Sequence, residues 1–381
     1  MSALVTITGD GTFAAPRSEQ TATARAGATR PVATAGEDPR LAAVLAVRSL
    51  LGDDLEEQVA ARAYLPAALG TESADHLLPA SLSLLAGTTG DLASYGWRVG
   101  PGAGLAWHRA RELRERTAEA AQIGLLGWEG PLAVTALGPL TLAAATFLSS
   151  GERTLADRGA LRDLPHLLAD GLAGQIADLR ERVPGARPRV LLREDAAGAV
   201  LHGQVRVPSG YRTYDPLPAD EIGLLWRALL EALRTQAGLE AGEITLAAGS
   251  DRALLETARR ASAAALAIAP ARIPALSSPR GRAIWESLAE ARDAGAALEL
   301  VVDPARASAQ LESAADAWHQ LGFGPKDLAG ITILAHRTAD RASPGQAEDP
   351  AQEPAADALL RAEDLERVLR LAPAWAERVQ G

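Results

Sequence analysis

The chain has 381 residues, 48% of them hydrophobic and 23% charged, which is globular composition with length for one large core or two smaller ones and excludes collagen-like and wholly disordered classes. A net charge of -10, with 38 basic residues scattered among acids, argues against nucleic-acid and anionic-membrane partners. Cysteine is absent, which removes disulfides, thiolate nucleophiles, iron–sulfur clusters and every zinc site built on cysteine sulfur.

In chain order, apolar runs rich in β-branched residues predict strands at Leu4 to Thr8, Pro131 to Leu137, Arg189 to Glu194, Glu243 to Ala248, Ala264 to Pro270, Leu298 to Asp303 and Ile331 to His336. An eighth is expected within Ser81 to Val99, a stretch that reads equally well as helix. Between the strands, leucines and tryptophans recur at three- and four-residue steps in Ala106 to Gln122, Asp163 to Arg182, Ala219 to Gly238, Asp251 to Ala261, Pro279 to Ala294 and Ala307 to Leu321. This alternation predicts repeated βα units around a parallel sheet, whose ligand sites lie at the carboxyl ends of the strands.

Two segments have no apolar period: residues 14–35, rich in Ala, Thr and Arg, and residues 339–356, rich in Ser, Pro, Gly, Gln and acids. They read as a disordered loop insertion and a linker. The domain reading is a barrel over residues 1–338, the linker over 339–356, and a C-terminal helix over 357–381 marked by Leu359, Leu360, Leu365, Val368, Leu369 and Trp375. No run reaches about 18 apolar residues and no leader pattern opens the chain, so the expected location is cytoplasmic.

Gly9-Asp10-Gly11-Thr12-Phe13-Ala14 follows a strand and fits a loose dinucleotide-binding pattern. The required helix does not follow at once, and a glycine turn at a barrel mouth is the competing reading. Gly100-Pro101-Gly102-Ala103-Gly104 reads as a connector. Arg193-Glu194-Asp195 ends a strand, where its carboxylates would either orient a ligand amine and serve as general acid and base or form a solvated ion pair. Asp303 and His336 hold equivalent strand-end positions, and His202 lies in the loop after Arg193. His76, His108, His166, His202, His319 and His336 show no paired spacing on one helix. A metal site assembled from Glu194, Asp195, His202, Asp303 and His336 is conceivable, but no local spacing supports it. Neither a G-x-S-x-G elbow nor a phosphate-binding lysine motif is present.

With the strands placed, the chain resembles short, single-barrel members of the cobalamin-independent methionine synthase family. The resemblance rests on Gly96-Trp97-Arg98, on Gly130-Pro131-Leu132-Ala133-Val134-Thr135-Ala136-Leu137-Gly138-Pro139-Leu140-Thr141, on Leu155-Ala156-Asp157-Arg158-Gly159, on Ala199-Val200-Leu201-His202-Gly203 and on Leu321-Gly322-Phe323. Thr8-Gly9-Asp10-Gly11-Thr12-Phe13 is similar to the family's first strand and substrate loop.

The resemblance implies an α/β fold, a (β/α)8 TIM barrel of the methionine synthase and uroporphyrinogen decarboxylase type. It also implies methyl transfer to homocysteine or a related small thiol, with zinc lowering the thiol pKa. The family's zinc ligands are replaced by Leu246-Ala247-Ala248-Gly249 and Ala335-His336-Arg337-Thr338, so no metal ligand and no cofactor are assigned. The expected catalytic residues are Glu194, Asp195 and His336, with Gly9, Gly11, Thr12, Trp97, Glu194, His202 and Asp303 as substrate contacts. The expected partner is a small amino acid or thiol. Two alternatives stand beside methyl transfer: a non-catalytic barrel that binds an amino acid or folate-like ligand, and a barrel enzyme using Glu194, Asp195 and His336 for acid–base chemistry.

Overall fold

A computed structural model describes residues 3–15, 38–52, 58–338 and 358–380. Nine parallel strand segments form one sheet: β1 (Val5–Gly9), β2 (Val59–Ala61), β3 (Ala63–Tyr64), β6 (Gly130–Leu137), β7 (Ala186–Arg193), β8 (Ile244–Ala247), β9 (Ala265–Ile268), β10 (Ala297–Val302) and β11 (Ile331–Ala335). Their order is β2-β1-β11-β10-β9-β8-β7-β6-β3. The two ends of that order, β2 and β3, are consecutive in the chain and separated by Arg62 alone, so the sheet closes on itself. One staved ring of eight results, a (β/α)8 barrel.

All seven strands expected from apolar runs are present within a few residues of their predicted bounds. The eighth is not in Ser81 to Val99. That stretch holds the end of α2 (Leu77–Leu82) and an antiparallel hairpin of β4 (Gly90–Ala93) and β5 (Gly96–Val99). The missing stave is Val59 to Tyr64, pairing with β1 through Val59, Ala60 and Ala61 and with β6 through Ala63 and Tyr64. Its alanines and its arginine hide it from any hydrophobic-run criterion.

The helices α1 (Pro39–Leu50), α3 (Leu105–Gly124), α5 (Arg158–Arg182), α7 (Ala219–Ala237), α8 (Arg252–Arg260), α9 (Pro279–Asp293), α10 (Ala307–Gln320) and α11 (Ala362–Gln380) cover the outside. Short helices α4 (Pro139–Ala145) and α6 (Ala197–Leu201) lie in the loops after β6 and β7. Side-chain caps start several helices: Asp38 accepts from Arg40 N, Asp157 from Gly159 N and Ala160 N, and Ser278 from Gly281 N. Helix α11 packs on β1, β11 and α1, so it fills the eighth helical position. Among the described residues no helix is long and apolar enough to cross a membrane. The expected insertion falls outside the described residues except for Ala14 and Ala15, and the expected linker falls outside them entirely.

Strand alternation sorts side chains onto two faces. Val5, Ile7, Val190, Leu192, Leu266, Ile268, Leu298, Leu300, Ile331 and Ile333 join the large core between sheet and helices. Leu191, Ala267 and Leu334, with Ala247 and Val301 against them, form a separate small cluster inside the ring. The interior also holds an ion pair: Arg62 Nη2 lies 2.7 Å from Glu299 Oε1, which accepts from Thr245 Oγ1 at 2.7 Å. These residues come from the second, seventh and fifth staves, so they meet only across the barrel axis.

Candidate active site at the barrel mouth

The loop after β1 turns the first strand end into the mouth. A Cβ at Gly9 would stand 2.4 Å from Tyr64 Cε1, and one at Gly11 would stand 2.3 Å from Thr135 Cβ. Gly11 also adopts φ +88°, a conformation that favours glycine. Between these glycines Asp10 is 1% exposed. Its Oδ1 accepts from Thr12 N at 2.9 Å and from Thr12 Oγ1 at 2.8 Å, while Tyr64 Oη donates to Thr12 O at 3.1 Å and fixes the turn from below.

The other oxygen of Asp10 gathers residues from distant staves. Oδ2 meets His336 Nδ1 at 2.7 Å and accepts from Arg193 Nη1 at 3.3 Å. Arg193 also presents a fork to Asp195, with Nε to Oδ1 at 3.3 Å and Nη2 to Oδ2 at 2.8 Å. Burial pushes the Asp10 carboxyl up, but the His336 hydrogen bond and the Arg193 charge outweigh it and hold the group below its ordinary value. Partial burial pushes Asp195 up as well, but the Arg193 charge and hydrogen bond outweigh it and hold the group below its ordinary value. Both carboxylates are therefore ionised at neutral pH.

Asp10, an anion on Nδ1, accepts from Nδ1–H, so the neutral form of His336 carries its lone pair on Nε2. The His336 side chain is 27% exposed and that of Asp195 is 49% exposed. The mouth thus offers a proton acceptor and a carboxylate with acceptor capacity left, on a floor locked by Asp10 and Arg193. Between the loops after β6 and β7, a cavity of about 520 Å³ is lined by residues 150–152, 207–209 and 212–215. Tyr214 Oη spans it, donating to Glu152 Oε2 at 2.6 Å.

Of the residues expected from sequence, Gly9, Gly11, Thr12, Asp195 and His336 converge here. Glu194 does not: it lies on the outer face of β7, 1% exposed, and its carboxylate accepts from Leu140 N, Thr141 N, Thr141 Oγ1 and Trp226 Nε1. No acceptor capacity faces the mouth, so the expectation that Glu194 receives a substrate amine or acts as the acid or base is corrected. Trp97 is buried in the hairpin core, its carbonyl accepting from Phe147 N, and has no bond to the mouth cluster. His202 sits at the rim, its Nε2 3.0 Å from Asp251 Oδ2. Asp303 shapes the rim by accepting from Ala305 N at 2.9 Å and Thr338 N at 3.2 Å.

Sequence reasoning missed Asp10 and Arg193 as site residues, although both stood inside quoted motifs. Their signal was available in the period of two: along β7, Arg193 and Asp195 share a face and Glu194 takes the other. Asp251, which caps α8 and holds His202 and Arg280, also went unassigned.

The donor set does not suit zinc. Leu246 is buried in the outer core and Ala247 faces the interior; neither supplies a ligand. His336 Nε2 is the one uncommitted histidine nitrogen of the cluster, and Arg193 neutralises the nearest carboxylates. His202 and Asp303 are bound to other partners, and among the described residues no group of three or more His, Asp or Glu is placed to hold a metal ion. The conceivable five-residue metal site is therefore not assembled.

Fold and site together define a (β/α)8 barrel with a carboxylate–arginine–histidine cluster at its C-terminal mouth. No protein-family profile and no curated protein matches the chain. Among solved structures it is similar to the carboxyl transferase domain of Rhizobium etli pyruvate carboxylase with 3-bromopyruvate, at 13% identity over 66% of this chain and 40% of that one, with a TM-score of 0.25. The same domain with oxalate gives 13% identity over 69% of this chain and 43% of that one, also at 0.25. The chain spans about two fifths of the length of these structures.

Proposed function

We propose that the mouth binds a small amino acid of the kind handled by methionine synthase-like barrels, and that it does so without zinc, in the cytoplasm. The observation that carries this reading is the Asp10–His336–Arg193–Asp195 cluster. Its two carboxylates exceed its one permanent cation, so the mouth favours a ligand that brings an ammonium group. Asp195 receives that amine, since its half-exposed oxygens keep lone pairs beyond those used by Arg193. The resemblance in the loop Gly9 to Phe13 supports the amino-acid class.

A second reading, methyl transfer to a thiol such as homocysteine, is favoured by one feature. His336 Nε2 is free to take a thiol proton while Asp10 stabilises the imidazolium that forms. The chain's own residues would then supply the thiolate that a metal supplies in the resembled family. The alternative of acid–base chemistry by Glu194, Asp195 and His336 together is not proposed, because Glu194 faces away from the other two.

Calorimetric titration with L-methionine and L-homocysteine in chelator-treated buffer tests the first reading. The expected result is binding that Asp195→Asn weakens roughly tenfold to a hundredfold, the range for losing a charge-assisted hydrogen bond. Absence of heat with both ligands would overturn it. Methionine formation from homocysteine with methylfolate or methylcobalamin, abolished in His336→Ala, tests the second.

A further inference from the structure

Glu194 is a fully buried carboxylate beside the mouth that the proposed function leaves unused. We propose that Glu194 is a positioning residue, whose carboxylate sets the geometry of the Arg193–Asp195 fork through Thr141 and Ala196 and does so only while it is ionised. The proposal concerns the fork itself and stands whether or not an amino acid is the ligand.

Asp195 is bracketed by two anchors. On one side Glu194 Oε2 accepts from Thr141 N at 2.9 Å and Thr141 Oγ1 at 3.0 Å, and Oε1 accepts from Trp226 Nε1 at 2.8 Å and Leu140 N at 3.3 Å. On the other side Ala196 N donates to the same Thr141 Oγ1 at 3.1 Å. The threonine hydroxyl therefore accepts from one neighbour of Asp195 and spends its single proton on the other. Backbone bonds complete the clamp: Glu194 N donates to Ala247 O at 2.9 Å and Gly138 N donates to Arg193 O at 2.8 Å. Gly138 leaves room for the carboxyl, because a Cβ there would stand 2.4 Å from Glu194 Cδ.

Every partner of the Glu194 carboxyl is a donor. The ionised form satisfies all four; a protonated form must direct its own hydrogen at one of them. Only Thr141 Oγ1 can accept it, and the hydroxyl must then turn its proton away while holding Ala196 N–H as well. Protonation therefore loosens one of the two anchors of Asp195. Burial pulls the other way and raises the group, with the Trp226, Thr141 and Leu140 bonds opposing it, to about 7.

No charged side chain enters this balance among the described residues. Arg193 and Asp195 project to the opposite face of β7, and α4 has no titratable residue. The charged residues of α7, Asp220, Glu221, Arg227, Glu231 and Arg234, lie outside its buried face.

Nitrogen-15 NMR of the full chain reads the coupling directly. The Trp226 indole N–H resonance, assigned by its loss in Trp226→Phe, and the Arg193 Nε–H resonance, assigned by its loss in Arg193→Lys, are followed across the neutral range. The expected result is that both shift with one shared midpoint close to 7, and that Glu194→Gln flattens both. Thr141→Val, which removes the hydroxyl and leaves the carboxyl its other donors, should leave Trp226 titrating and Arg193 flat. That variant and the wild-type titration decide the matter even if Glu194→Gln fails to fold. An Arg193 resonance that stays fixed while Trp226 titrates would overturn the proposal. So would one that still titrates in Glu194→Gln or Thr141→Val, or a wild type in which neither resonance moves.

Discussion

Removing Glu299 strips the barrel interior of the anion that holds Arg62. In the native chain Arg62 Nη2 and Thr245 Oγ1 both donate to Glu299 Oε1, while Arg62 Nε and Glu299 Oε2 have no hydrogen-bond partner among the described residues. The pair is thus incompletely compensated, and its side chains are 7% and 3% exposed. Glu299→Ala leaves a guanidinium inside the ring with no acceptor, which costs about 3–5 kcal/mol, the range for breaking a buried pair from one side. Arg62→Met combined with Glu299→Leu removes both charges and should cost far less, or stabilise by about 1–4 kcal/mol. Urea unfolding of the wild type, both single variants and the double variant measures the coupling as a mutant cycle. The reasoning fails if Glu299→Ala leaves the urea midpoint unchanged, or if the double variant falls as far as the worse single one.

Other consequences concern the mouth and its supports. The rise of Glu194 from 4.5 to about 7 means that its contribution is fully present below its unfolded value and is lost as pH climbs through 7; at about 1.4 kcal/mol per pH unit the loss is about 3 kcal/mol. Wild-type stability measured against Glu194→Gln should therefore fall between mildly acidic and mildly alkaline buffer, and a difference that grows with pH would contradict the assignment. Gly11→Ala puts a side chain at φ +88° and against Thr135, costing at least about 1–2 kcal/mol for the backbone alone; Thr135→Gly in the same chain should restore the packing part in thermal unfolding. Asp10→Asn deprives Arg193 and His336 of an acceptor and should lower stability by about 1–3 kcal/mol, with amino-acid binding lost in parallel by calorimetry.

Seven staves were legible because Val, Ile and Leu must cover the outer face of a parallel sheet, and runs such as Val190 to Leu192 or Ile331 to Leu334 announce that burial. The eighth was not, because Val59 to Tyr64 is poor in Val, Ile and Leu and turns Arg62 to the interior, where its partner Glu299 lies 237 positions away. No local pattern encodes such a pair. The site was half legible. The strand-end rule found Asp195 and His336, and it also swept in Glu194, which sits at the same strand end but on the face turned to α4 and α7. Asp10 was visible in its glycine loop, yet its role depends on residues 183 and 326 positions distant, which only the closed ring brings together.

The most direct test of the central claim is a crystal structure of the metal-free protein with L-homocysteine bound. The account predicts the ligand's ammonium group within hydrogen-bond distance of Asp195 and its thiol facing His336 Nε2, with no metal between them. Ligand held elsewhere on the chain, or bound at the mouth only when zinc is supplied, would contradict it.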